Sequence, residues 1–211
     1  MNRTEPTRLP ELMSHDRAAL DALLESTVVG HIAFVAQDGS PAVLPTAVVR
    51  WGERLVVHGS TGSRWMRLVA GSPAVVSVTA VDGIIVARSA FESSLAYRSA
   101  VFFGSFDEVT GDDQLVALDL LTDRLVPGRV AEVRRPTRKE LAATVVLAMP
   151  ISQWSLRVST GWADDPAEDV AGSAWAGQVV FGDRPATVRA APDLRAGIVV
   201  PPSVSELNAT H

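Results

Sequence analysis

The chain of 211 residues has no cysteine, so disulfides, thiolate metal sites and a cysteine nucleophile are all excluded. It has one lysine, Lys139, among nineteen basic residues, and its formal charge is −5. Without a basic excess to neutralise phosphates, nucleic acid is not an expected partner. No apolar run approaches the roughly 18 residues that a membrane span needs, so no membrane association is expected. The segment 1–17 is polar with two prolines and lacks the apolar stretch of a secretory leader. A cytoplasmic protein follows as the expectation. What is abundant is apolar side chain, 47% against 20% charged, the balance of a chain that folds around a sizeable core. There is no internal repeat and no low-complexity tract.

Ser14-His15-Asp16-Arg17 reads as the start of a helix capped by Ser14, with Leu20, Leu23 and Leu24 at core-facing spacing. From Val28 the period shortens to that of strands. Val28 to Ala36, a turn at Gln37-Asp38-Gly39-Ser40, Ala42 to Arg50 and Leu55 to His58 predict a three-stranded antiparallel meander. Pro45 lacks an amide donor, so its strand must be an edge, be bulged, or face a ligand there. A short helix over 63–70 follows. Ala74 to Ala80 and Ile84 to Ser89 predict a hairpin turning at Asp82-Gly83, and Arg98 to Val109 a long strand. A helix opened by Gly111-Asp112-Asp113 presents Leu115, Leu118, Leu121 and Leu125 to the core. Thr137 and Glu140 have capping-box spacing for another short helix. Thr144 to Met149, Trp154 to Ser159 and Trp175 to Phe181 read as the last strands. Short strands at regular intervals with few helices predict a mainly β protein built on a closed barrel. The expected organisation is a tail over 1–13, a barrel domain with flanking helices over 14–181 and an extended arm over 182–211.

Chemistry concentrates in few places. His15, His31, His58 and His211 show no helical metal-ligand spacing, so no metal site is expected, though His31 and His58 on neighbouring strands leave one open. No strained nucleophile elbow is present. His58-Gly59-Ser60-Thr61-Gly62-Ser63-Arg64-Trp65 leaves a strand and enters a helix. Its glycines let the backbone approach closely, and its hydroxyls, first helical amides and Arg64 fork suit a phosphate. An ordinary strand–helix connection with a serine cap explains the same letters. Arg88 and Arg98 flank a loop that could grip an anion or a partner, or lie solvated. Trp154, Trp162 and Trp175 are candidates for core, interface or a platform for a planar ligand.

The ordered blocks Val29-Gly30-His31-Ile32-Ala33, Pro41-Ala42-Val43-Leu44-Pro45-Thr46, His58 to Arg64, Val81-Asp82-Gly83, Arg88-Ser89-Ala90-Phe91, Tyr97 to Gly104 and Trp175-Ala176-Gly177 resemble the pyridoxamine 5'-phosphate oxidase-like, FMN-binding split-barrel proteins. The likeness runs from Asp16 to Pro202 and is greatest toward the 5-nitroimidazole-resistance reductases. It implies a six-stranded antiparallel split barrel and a homodimer with FMN at the subunit interface. Carried over, Val43, Leu44, Pro45 and Thr46 line the flavin ring, and Ser60, Ser63, Arg64 and Trp65 fall at its phosphate with Gly59 and His58 beside it. Ser99 takes the place of a flavin-contacting glutamine, and Trp175 that of a tryptophan reaching the flavin.

The pattern is also broken. Trp65 replaces a lysine, Leu156 stands where relatives carry a lysine, and Glu92, Ser93 and Ala96 replace a His-His and an Asn. The arrangement that holds pyridoxal phosphate as substrate is missing. The reading that follows is a flavin-dependent oxidoreductase, moving electrons from a reduced nicotinamide to a small acceptor such as a nitroaromatic. His58 is its candidate catalytic acid, since an imidazole titrates near neutrality. The alternatives are a binding dimer that holds haem, with His58 or His31 as axial ligand, or a flavin or deazaflavin, and a structural dimer without a cofactor.

Overall fold

The computed structural model describes Thr4 and residues 10–125, 127–182 and 187–200. The remainder of the expected tail and arm, His211 included, lies outside the described residues. A 3-10 turn at Pro10–Leu12 leads into β1 (Met13–Ser14), α1 (Arg17–Ser26), β2 (Val29–Val35), β3 (Pro41–Ala47), β4 (Val49–Trp51), β5 (Arg54–Ser60) and α2 (Arg64–Val69). The chain continues through β6 (Pro73–Val86), β7 (Ser94–Ser105), β8 (Asp107–Glu108), α3 (Asp112–Leu125), α4 (Arg129–Glu132) and α5 (Arg138–Ala142). It finishes with β9 (Thr144–Pro150), β10 (Gln153–Ser159), α6 (Ala167–Val170), β11 (Gly177–Val180) and β12 (Thr187–Ala190), the last inside the segment expected as an arm. Two compact units divide the chain, Met1–Thr79 with Ser99–Leu156, and Ala80–Arg98 with Arg157–His211.

In the first unit, the helix begins two residues later than expected. Asp16 is the N-cap and accepts from the Ala18 amide at 2.9 Å, while the Ser14 hydroxyl accepts from the Asp16 amide. The Asp16 carboxylate thereby satisfies one of the free amides of the first helical turn. The predicted meander does not form. β2 and β3 pair with each other in one sheet, whereas β4 and β5 belong to a second, ordered β4-β5-β9-β8. The break falls at Val48, whose amide turns to the Val28 carbonyl at 2.9 Å and whose side chain is buried against Gly30.

Two faces of the β2–β3 pair have opposite characters. Residues directly opposite in an antiparallel pair share a face. Gly30, Ile32 and Phe34 with Thr46, Leu44 and Ala42 form the inner face. Val29, His31, Ala33 and Val35 with Ala47, Pro45, Val43 and Pro41 form the outer one. Among the described residues β3 pairs with β2 alone, so Pro45 sits on an edge strand, as its missing donor requires. In the second sheet, α3 packs Ala117 and Leu121 on Val49, Val56, Val146 and Ala148, with Leu118 at the margin. Leu125 departs from expectation and is exposed at the last residue of the helix.

In the second unit, the expected hairpin at Asp82-Gly83 is absent. β6 runs unbroken to Val86, and Gly83 pairs with Val180 of β11. Gly83 is there for close approach, since an added Cβ would lie 2.3 Å from the Val179 carbonyl oxygen. Asp82 is held by a bidentate pair from Arg98 at 2.7 and 2.8 Å. Gly83→Ala is therefore expected to lower stability by about 1–3 kcal/mol, read from urea unfolding. An unchanged midpoint would show that the ladder can give at this point.

Candidate functional site

β5 separates two cavities of the first unit, because successive strand residues point to opposite faces. Gly59 faces α2, where an added Cβ would meet Met66 Cγ at 3.1 Å. His58 thus faces the other way, on the α3 side with Val56, opposite Val146 of β9. Beyond the packed part of that cluster, a cavity of about 520 Å³ opens. His58, Leu118 and Thr122 of α3, Val133, Arg134, Pro136, Glu140, Leu141 and Thr144 line it. The Gln114 amide holds its far wall by donating to the Leu141 and Thr144 carbonyls at 3.2 and 2.9 Å. The Thr137–Glu140 capping box forms as expected. Glu140 also takes a two-point contact from Arg134 at 2.6 and 2.8 Å. Arg134, then the Thr137 amide and hydroxyl, hold the Glu140 carboxyl down at about 2. His58 stays open to the cavity, yet loss of water around its ring pushes its pKa below the ordinary imidazole value. No other lining residue carries a nitrogen or sulfur that binds iron readily.

On the α2 side, a cavity of about 560 Å³ is lined by Phe34, Ala36, Gln37, Asp38, Ala42, Ser63, Arg64, Trp65 and Leu68. Arg64 donates to Gln37 Oε1 at 3.0 Å, which ties α2 to the β2–β3 turn. Asp38 accepts from the Ser40 hydroxyl and amide at 2.6 and 3.0 Å, and these bonds lower its pKa. Ser63 is the N-cap residue of α2 but makes no capping bond with its side chain. Ser60 is engaged locally, accepting from the Gly62 amide at 3.1 Å.

Of the residues read as a phosphate site, Ser63, Arg64 and Trp65 converge on this second cavity. Ser60 closes the strand–helix turn and His58 lies across β5. Val43 and Pro45 stand on the outer face of β3 beside His31, while Leu44 and Thr46 face inward. Ser99 is half-buried on β7. Trp175 is buried in the second unit and packs with Val179. Arg88 and Arg98 are not free to grip an anion, because Asp165 and Asp193 take the first and Asp82 the second.

Sequence reasoning missed the walls around His58. Its signals were present as Leu118 and Thr122, one turn apart on α3, and as the capping box, but only β9 brings them opposite β5.

A family model described as pyridoxamine 5'-phosphate oxidase matches residues 16–158. No curated protein matches the chain. Among solved structures, the FAD and haem binding protein from Mycobacterium smegmatis is 48% identical, over 93% of this chain and 97% of that one, with a TM-score of 0.78. The flavocytochrome Anf3 from Azotobacter vinelandii is 27% identical over 98% and 96%, with a TM-score of 0.80. A candidate 5-nitroimidazole antibiotic resistance protein from Bacteroides thetaiotaomicron is 13% identical over 69% and 86%, with a TM-score of 0.59. Among the described residues, no helix is long and apolar enough to cross a membrane.

Proposed function

The chain belongs to the pyridoxamine 5'-phosphate oxidase family and has its mainly β split-barrel fold; from that premise we propose that it is a redox protein holding a flavin and a haem, with His58 as the axial ligand to the haem iron. The observation that carries this reading is the placement of His58. It is the one iron-binding side chain in a cavity of about 520 Å³, well inside the usual range for ligand sites. Leu118, Val133, Pro136 and Leu141 supply apolar walls for the faces of a flat group, and Thr122, Arg134, Glu140 and Thr144 line the rest with polar atoms. Burial keeps the imidazole neutral to lower pH, which is the form that ligates a metal. The relative that is 48% identical is described as binding both FAD and haem.

The flavin belongs on the α2 side. There Arg64 offers a planar fork to a phosphate, the Ser63 hydroxyl is free of capping duty, and Trp65 offers an aromatic face. FAD is the form proposed in place of FMN, following the same relative. When bound, the flavin supplies two-electron acceptance with one-electron release, and the haem a one-electron centre. The protein's part is to hold them on opposite sides of β5, Arg64 by charge and His58 by ligation. A small acceptor and a reduced nicotinamide donor complete the proposed oxidoreductase. The alternative of a nitroreductase that holds flavin alone has support only from a likeness at 13% identity, which carries the fold and no more.

The test is the visible spectrum of the purified protein, as isolated and after FAD, FMN or haemin is added. Retention of both a flavin and a Soret band through gel filtration is the expected result. A protein that takes up neither is not a redox carrier. Arg64→Ala is expected to weaken flavin binding by about tenfold or more, the worth of one charge-assisted hydrogen bond, and to leave haemin uptake unchanged. Equal flavin affinity in the variant would place the phosphate elsewhere.

A further inference from the structure

We infer that Asp38 selects FAD over FMN, by accepting a hydrogen bond from the adenosine half that only the dinucleotide carries; the inference rests on the flavin placement proposed above. Asp38 lines the α2-side cavity of about 560 Å³ together with Ser63, Arg64 and Trp65. Its carboxylate is only half used. Both bonds from Ser40, the hydroxyl at 2.6 Å and the amide at 3.0 Å, go to Oδ1, and Oδ2 takes neither. Arg64 donates to Gln37 Oε1 at 3.0 Å and not to the adjacent Asp38. A guanidinium has five N–H donors, so this one contact leaves Arg64 most of its capacity. One cavity thus presents a cation and an anion that do not neutralise each other.

A ligand that answers both groups carries an anion for Arg64 and a hydrogen-bond donor for Asp38. FMN ends in a phosphate monoester of charge about −2 at neutral pH, which offers acceptor oxygens and no donor. Against that end Oδ2 gains nothing and repels. FAD continues past its first phosphate into a second, a ribose and an adenine, whose hydroxyls and amino group donate. An acidic side chain that accepts from the adenosine ribose is how dinucleotide-binding sheets fix that sugar. The carboxylate is also held in place. The Ala36 amide donates to the Ser40 carbonyl at 2.8 Å and the Gly39 amide to the Ala36 carbonyl at 2.9 Å, which closes the turn around it. The Ser40 bonds hold its pKa below the usual carboxylate value, so it stays an acceptor. The turn itself needs only Oδ1, which asparagine would supply equally. What aspartate adds is the charge and the free acceptor at Oδ2.

Equilibrium dialysis of the whole chain against mixtures of FAD and FMN, with the bound flavins separated and counted, tests the inference. The expected result is an affinity for FAD about tenfold or more above that for FMN, the worth of one hydrogen bond to a charged group. Asp38→Asn keeps Oδ1 for Ser40 and turns an amide donor toward the cavity. It is expected to raise FMN affinity, lower FAD affinity and shrink their ratio by about tenfold. ADP, which carries the adenosine half without the flavin, is expected to displace FAD from the wild-type protein and to bind the variant about tenfold more weakly. Haemin uptake and circular dichroism of the variant are expected to match wild type, which separates a changed site from a changed fold. A wild-type preference for FMN, a ratio unaltered by Asp38→Asn, or equal ADP binding by both proteins would each overturn the inference. If the ratio is unaltered while Arg64→Ala still weakens both flavins, the flavin placement stands and Asp38 serves its turn alone. If Arg64→Ala leaves both flavins as tightly bound as before, the placement fails and the role of Asp38 fails with it.

Discussion

Haemin added to the His58→Ala protein is expected to give no protein-bound Soret band, while flavin absorption persists. Loss of a group that merely orients a metal ligand costs 10–100-fold in affinity, so loss of the ligand itself should exceed roughly 100-fold. Nothing else lining the cavity can replace it, since threonine, leucine, proline, arginine and glutamate are poor iron ligands there. Exogenous imidazole should restore the band in the variant, because the 520 Å³ cavity and its apolar walls remain. The pH dependence has a definite sign. Protonation competes with ligation, and burial lowers the His58 pKa, so haem should be retained to lower pH than an ordinary imidazole near 6.5 allows. The same shift acts on the protein without haem. A histidine whose folded pKa is depressed lends its full stability above about 6.5 and loses it as pH falls through the folded value. His58→Ala should therefore flatten the acid limb of stability of the haem-free protein. A variant that kept its Soret band, with flavin in place, would move the axial ligand to another residue and empty the cavity of its assigned role.

The parts of this architecture legible in the sequence are those decided locally. The Asp38-Gly39 turn, the Thr137–Glu140 box and the edge position of Pro45 follow from side chains acting on neighbouring backbone, and the structure has all three. Gly83 was misread because one residue type serves two ends. The letters Asp82-Gly83 suit a tight turn, but the backbone of β11 presses where a side chain would be, a constraint that arises 97 residues later. The sheet switch at Val48 is equally non-local, set by packing on Gly30. At the candidate site, Ser63, Arg64 and Trp65 were found together since they share one short helix start. The facing of His58 was not found, because strand alternation gives relative sides but not which neighbour covers each. Only the Gly59–Met66 approach settles that His58 turns toward α3.

Removing the Asp165 carboxylate should be the costliest single change in the second unit. The Arg88 side chain is 3% exposed and that of Asp165 1%, with Arg88 Nη1 donating to Asp165 Oδ2 at 2.9 Å and the Arg88 amide to Oδ1 at 3.0 Å. Burial alone pushes the Arg88 pKa down, but the hydrogen bonds to Asp165 and Asp193 outweigh it and keep the guanidinium above its ordinary value. Asp165→Ala strands that charge with Asp193, which is 3.4 Å away and 56% exposed, and leaves the Arg88 amide without its acceptor. Breaking one side of a buried pair costs about 3–5 kcal/mol, which at ordinary urea sensitivity moves the unfolding midpoint by roughly 1–3 M. Asp193→Ala, by contrast, removes a solvent-facing partner and should cost no more than about 1 kcal/mol. The apolar pair Arg88→Met with Asp165→Leu should recover most of the loss, since neither desolvation penalty then remains. If Asp165→Ala lost less than about 1 kcal/mol, water or another acceptor would have to reach Arg88 once the carboxylate is gone. The loop at 161–166 would then be a looser cover than its closed ion pair indicates.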